Sequence, residues 1–173
     1  MSRARPDLVN AVELAERGAT LECKIELPEM PRLVEAGALE GTRASGLLRF
    51  RLFEGRPLVR IKVDGVVVLS CQRCLKPCEC TVSEDASLLV VSSDLGEIPG
   101  GYESLFDDPE NLSLAGAIEE QLLLGLPLVP KHADIADCGA TGEVEVALTR
   151  EAATEDKQKP FANLRDLLDE HER

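Results

Sequence analysis

Apolar and polar positions alternate over much of the first half of the chain, and helical spacing appears only in short stretches. Leu8, Ala11, Val12 and Ala15 are spaced for a weakly amphipathic helix over residues 7 to 17, which Gly18 stops. From residue 20 to 27 the period becomes two. Leu21, Cys23, Ile25 and Leu27 alternate with Glu22, Lys24 and Glu26, the pattern of a half-buried strand with Cys23 in the core. After Pro28 and Pro31, the positions of Leu33, Val34, Ala36 and Leu39 predict one or two helical turns. From Gly46 onward, Leu48, Phe50 and Leu52 take one face of a strand and Arg49 and Arg51 the other, and Gly55 turns the chain. Two β-branched runs, 58 to 63 and 66 to 71, flank Asp64-Gly65, a two-residue signal for a tight hairpin. That hairpin places Val59, Ile61 and Val63 with Val66 and Val68, and sets Arg60 and Lys62 beside Val67 and Leu69.

Residues 78 to 91 read as a long return strand with Cys78, Cys80 and Val82 on one side. The stretch 92 to 111 is rich in Gly, Pro, Ser and acids and predicts an acidic loop. Ser113 is an N-cap for a helix through Leu114, Ile118, Leu122 and Leu123, ended by Gly125 and Pro127, with Glu119 and Glu120 on its solvated face. The fold class is therefore α+β: a mainly antiparallel sheet, built as a meander with partial closure into a barrel as a variant, and flanking helices. One domain spans 1–148. Residues 149–173 form a polar linker and a C-terminal docking helix that presents Phe161, Leu164, Leu167 and Leu168.

Composition narrows what such a fold does. The longest apolar runs fall short of the roughly 18 residues that cross a bilayer, and residues 1 to 16 carry acids in place of an apolar signal core, so a cytoplasmic protein is expected. The formal net charge is −13, unfavourable for contact with phosphate. Its distribution is uneven, however. Between 43 and 76, Arg43, Arg49, Arg51, Arg56, Arg60, Lys62, Arg73 and Lys76 face only Glu54 and Asp64, whereas 77 to 156 is strongly acidic. One confined basic surface on an acidic body follows, with Arg49, Arg51, Arg60, Lys62, Arg73 and Lys76 as candidate RNA-binding residues. Aromatic content is 3%, too little to build stacking platforms for bases.

The candidate chemistry lies at Cys71-Gln72-Arg73-Cys74, since two cysteines two residues apart turn both sulfurs to one side of a tight knuckle. As zinc ligands they need two further donors, for which His132 and Cys138 are the best placed. Cys78 and Cys80 alternate along one strand and suit packing better. A thiol redox pair wants a helix N-terminus after the first cysteine, and here a strand comes before and after. Cysteine nucleophilic catalysis with His132 stays open as a further alternative. No phosphate-cradling glycine motif is present, so a nucleotide enzyme has no support and no small-molecule substrate is expected.

Three ordered blocks carry a resemblance. Leu69-Ser70-Cys71-Gln72-Arg73-Cys74-Leu75-Lys76-Pro77, then residues 119 to 132 with Leu126-Pro127-Leu128-Val129-Pro130-Lys131-His132, then Lys159-Pro160-Phe161-Ala162-Asn163-Leu164, are similar to the YceD family of large ribosomal RNA subunit accumulation proteins. The resemblance implies a small bacterial or plastid protein needed for normal levels of 23S rRNA in large-subunit biogenesis, with no established catalytic activity, and a non-enzymatic protein is expected. Its implied partners are 23S rRNA or the pre-50S particle, and ribosomal proteins. Relatives commonly carry a second close-spaced cysteine pair near Cys138, where this chain has His132 and Cys138. An acidic adaptor for basic ribosomal proteins, working through 77 to 156, is the alternative function.

Overall fold

The computed structural model describes residues 8–92 and 102–139. The chain divides into two compact units, Met1–Ala133 and Asp134–Arg173. The linker and docking helix expected at 149–173 lie outside the described residues.

The first unit is built on one open sheet. Its strands are β2 (Thr20–Glu26), β3 (Arg43–Phe53), β4 (Arg56–Ser70), β5 (Pro77–Val91) and β6 (Glu103–Phe106), in that spatial order. The first four form an antiparallel meander, and β6 runs parallel to β5. Among the described residues the sheet ends at β2 and β6 and does not close into a barrel. The segment 92 to 111, expected to be all loop, therefore contributes β6, a strand too short to reveal a period of two. A two-stranded ribbon pairs β1 (Leu8–Val9) with β7 (Leu112–Ser113). This ribbon takes Leu8 out of the expected first helix, and α1 (Ala11–Glu16) begins after Asn10, whose side chain caps the N–H of Glu13.

The Asp64-Gly65 hairpin does not form. β4 runs straight through the pair, with Asp64 opposite Ser45 on one side and Ser83 on the other. A type I′ turn needs positive φ at both central residues. That chemistry is met instead at Glu54 (φ 49°) and Gly55 (φ 77°), where β3 turns into β4. Gly65 serves a different purpose. A Cβ there would lie 2.8 Å from Leu122 Cδ2, 3.1 Å from Ala44 Cβ and 3.2 Å from the Arg43 carbonyl. At Gly46 on the neighbouring strand a Cβ would lie 2.6 Å from Ile118 Cδ1. The two glycines form a slot into which α3 (Leu114–Leu124) lowers one side chain per turn, Ile118 and Leu122.

A continuous β4 also changes which residues share a face. Val59, Ile61, Val63, Val67 and Leu69 are buried under α3 and α1, while Val66 and Val68 lie on the side of Arg60 and Lys62. Opposite the α3 face, Leu58, Leu89 and Val91 make a small second cluster with Phe53 and Tyr102.

α3 begins at its expected cap, with Ser113 Oγ accepting from the Gly116 N–H at 3.0 Å. Glu119 is not on a solvated face. It is 3% exposed, and its Oε1 accepts from the Leu33 N–H at 2.9 Å, at the start of α2 (Pro31–Glu35). Glu120 meets the Arg32 guanidinium of the same short helix. Helical spacing could not separate these neighbours, because the face each presents depends on where α2 packs. Replacing Glu119 with Ala leaves a helix-terminal N–H unsatisfied under the core and is expected to cost about 1–3 kcal/mol. Glu119→Gln keeps the acceptor and retains most of that stability, which denaturant melts of the two variants will show.

Candidate functional site

The knuckle closes the β4–β5 connection. The Cys71 N–H donates to the Lys76 carbonyl at 2.9 Å, and the Leu75 N–H to the Cys71 carbonyl at 2.8 Å. Leu75 takes a left-handed φ of 61°, which lets the loop turn back so tightly. The Arg73 N–H points at Cys71 Sγ at 3.4 Å. Burial works to raise the Cys71 thiol, but the backbone N–H groups of Arg73, Cys74 and His132, with the His132 imidazole, outweigh it and bring the group down to about 5. Cys71 is fully buried and Cys74 half-buried.

The segment after α3 is stitched to this loop. The Gln72 N–H donates to the Pro130 carbonyl at 2.8 Å, and Arg73 Nη2 donates to the His132 carbonyl at 2.6 Å. These bonds bring His132 over the knuckle, with Nδ1 3.6 Å from Cys74 Sγ and Nε2 3.1 Å from the Pro77 carbonyl. A carbonyl can only accept, so Nε2 carries the proton and Nδ1 turns its lone pair toward the sulfurs. A histidine that binds a metal through one nitrogen while giving the other N–H to a backbone carbonyl has this arrangement. The ligand atoms of Cys71, Cys74 and His132 lie within 4.8 Å of one another. Tetrahedral zinc, with bonds of about 2.0–2.3 Å, separates neighbouring ligand atoms by roughly 3.4–3.8 Å, a range that includes the sulfur–nitrogen distance found here.

In the second unit, Cys138 ends a single 3-10 turn (Ile135–Cys138) and is buried, with Asp134 Oδ1 capping the Ala136 N–H at 2.9 Å. Cys71, Cys74, His132 and Cys138 together are a donor set that could hold a metal ion. The fit is one of chemistry, since three sulfurs and one imidazole nitrogen suit zinc. Cys78 and Cys80 belong to the core, opposite Leu69 and Val67 in the ladder. Burial, followed by the charges of Cys80 and Cys71, pushes the Cys78 thiol up to about 11, so it stays neutral.

The six candidate RNA-binding cations do not form one surface. Arg49, Arg51, Arg60 and Lys62 are exposed on the same side of β3 and β4, with Arg49 directly opposite Arg60. Asp85, from β5, accepts a two-pronged bond from Arg60 at 2.9 Å per contact. Its carboxyl is held below the usual range mainly by that guanidinium, with Lys62 and Arg49 adding to the effect. Arg51 Nη2 donates to the Tyr102 hydroxyl at 3.1 Å, and the guanidinium stands 6.0 Å from the ring centroid. Arg73 turns inward to brace His132. Lys76 is exposed beyond the far end of β4, where the eight residue steps from Lys62 to Ser70 already extend about 26 Å. Their nearness in sequence concealed this separation, since a strand carries the chain away at its maximum rise.

Comparison with known proteins gives a consistent assignment. A family model described as large ribosomal RNA subunit accumulation protein YceD matches residues 59–168. A protein of that name from Haemophilus influenzae is 34% identical over 110 residues, covering 61% of this chain and 62% of its own length. The chain thus spans under two thirds of that relative. No solved structure matches significantly.

Proposed function

This chain belongs to the YceD family of large ribosomal RNA subunit accumulation proteins, and from that premise we propose that it is a non-enzymatic factor of large-subunit assembly. It supports 23S rRNA accumulation by contacting rRNA through the exposed face of β3 and β4, in the cytoplasm where ribosomes are built. The observation that carries this reading is Arg49 opposite Arg60 in the ladder. Like charges directly opposite each other destabilise a sheet. Asp85, paired with Arg60 and drawn to Arg49, offsets this in part and Asp64 lies near Lys62, but four cations against these two carboxylates leave a surplus that suits a polyanion. Arg51 and Lys62 flank it, and among the described residues no carboxylate lies within ion-pair distance of Arg49 or Arg51. No helix among the described residues is long and apolar enough to cross a membrane.

Zinc held by Cys71, Cys74 and His132, with Cys138 closing the shell, supplies a structural cross-link in this scheme. Arg73 and the Pro77 carbonyl hold the imidazole in place. Cys71 lies buried under its own N–H donors, which suits a ligand better than an exposed nucleophile.

Changing Arg49, Arg60 and Lys62 together to Ala is expected to weaken binding to 23S rRNA fragments. The plot of log affinity against log salt should become shallower by about 2–3 units, the loss expected for three phosphate contacts. Arg49→Ala alone should leave the thermal midpoint unchanged or slightly raised, because it relieves the like-charge pair. Unaltered affinity and salt slope in the triple variant would exclude this face as the RNA contact.

A further inference from the structure

Two features of the first unit have no part in the cation face or the metal site. The first is an apolar knob beside the knuckle. Leu128 is fully exposed, and Leu75 and Val129 are 75% and 53% exposed. The bond from Gln72 to the Pro130 carbonyl brings the loop bearing Leu75 alongside the strap bearing Leu128 and Val129, so all three exposed residues lie at the same end of the sheet. Pro127 and Pro130 stiffen the strap and lower the entropy lost when its side chains are captured. Leu75 holds a left-handed φ that Gly or Asn would adopt with less strain. Neither turn geometry nor burial calls for a leucine at this position, and its side chain is open to contact. Lys76 and Lys131 are exposed at the edge of the knob.

The second feature is a half-open cavity of about 600 Å³ between β2, α1 and the β1 ribbon. Leu8, Leu14, Leu21, Cys23, Ile25 and Leu114 provide its apolar wall, and Leu8 is itself 56% exposed at the mouth. Three carboxylates, Glu13, Glu22 and Glu29, line it against the single cation Lys24. Its size lies within the range of pockets that take small apolar groups, roughly 300–1,000 Å³.

We propose that the knob of one copy of this chain seats in the cavity of a second copy, giving a head-to-tail association. Apolar meets apolar, and Lys76 and Lys131 meet a rim whose three carboxylates outnumber Lys24 and the Arg17 that pairs with Glu13. Among the described residues the cavity is left open, and the knob does not reach the cavity of its own molecule: it is fixed to the end of β4, the cavity is on β2, and β3 lies between them. Aliphatic tips fit a protein pocket better than splayed bases, which stack on aromatic rings. Knob and cavity are different surfaces, so the contact is heterologous and each bound copy still offers one of each.

The test is sedimentation of the full-length protein, as purified, up to roughly 0.2 mM, where weak interfaces with Kd on the order of 10 µM are populated. The mass of the wild type is expected to rise with concentration from monomer to beyond twice monomer. Leu75→Gly with Leu128→Ser removes the knob, and Leu8→Lys with Glu13→Lys blocks the cavity. All four positions are exposed, so the variants fold, and the thermal midpoint of the knob variant should rise as the strain at residue 75 is relieved. Each variant alone should stay monomeric. An equal mixture should stop at twice the monomer mass, because one intact knob and one intact cavity remain between the two. A wild type that is monomeric throughout, association that survives in either variant, or a mixture that fails to pair overturns the proposal. None of these outcomes bears on the RNA contact, because no substituted residue belongs to the cation face.

Discussion

Cys74→Ser is expected to abolish the proposed stoichiometric zinc binding and to lower the thermal midpoint by about 10 °C, the shift expected for roughly 3 kcal/mol in a chain of this size. A hydroxyl is a poor zinc donor, and with the metal gone the two loops lose that cross-link and keep the bonds at Gln72, Arg73 and His132. The loss is smaller than the total binding free energy of a zinc finger because this fold has its own core beneath α3. Metal analysis and melts with and without a chelator check the result. Chelator should lower the wild-type midpoint and leave Cys74→Ser where it is, while Cys78→Ser keeps its metal. A wild type that purifies without zinc and ignores chelator removes the metal from the account.

Leu122→Ala is the second large effect, at about 2–5 kcal/mol, since it empties a fully buried site where α3 enters the sheet. Gly65→Ala overpacks the same contact from the other side and should cost about 1–3 kcal/mol. The two changes are complementary in volume, so the double variant should lose less than the sum of the singles. Relief stays partial, because the new Cβ still crowds Ala44 Cβ and the Arg43 carbonyl. Denaturant midpoints for the four members of the cycle measure the coupling. Strict additivity would mean that α3 does not seat on Gly65, and would reopen the turn that Asp64-Gly65 suggests.

That dipeptide shows where local signals stop. Alternation read one strand at a time placed β2, the body of β3 and the long β5, and the caps at Ser113 and Gly125 placed α3, because each depends only on a residue's near neighbours. Asp-Gly between β-branched runs is also a local signal. It was overruled because Gly65 was needed for its missing side chain and not for its backbone freedom, and that need originates more than fifty residues away at Leu122. Glu119 followed the same pattern, becoming a buried acceptor only because α2 folds onto α3. The strand β6 is too short for any period to announce it.

The chain's sequence by itself determined the cysteine knuckle and the uneven spread of charge, and it offered His132 and Cys138 as further donors. Residue type and close spacing settle the first two. The tertiary structure alone decided that His132 presents Nδ1 to the sulfurs, since the orientation comes from the Pro77 carbonyl and the inward turn of Arg73. It also divided the six basic candidates, grouping Arg49, Arg51, Arg60 and Lys62 on one sheet face and leaving Lys76 at the distant end. Charge counts along a chain carry no direction, whereas an extended strand assigns every residue a side and moves it about 3.3 Å from the last.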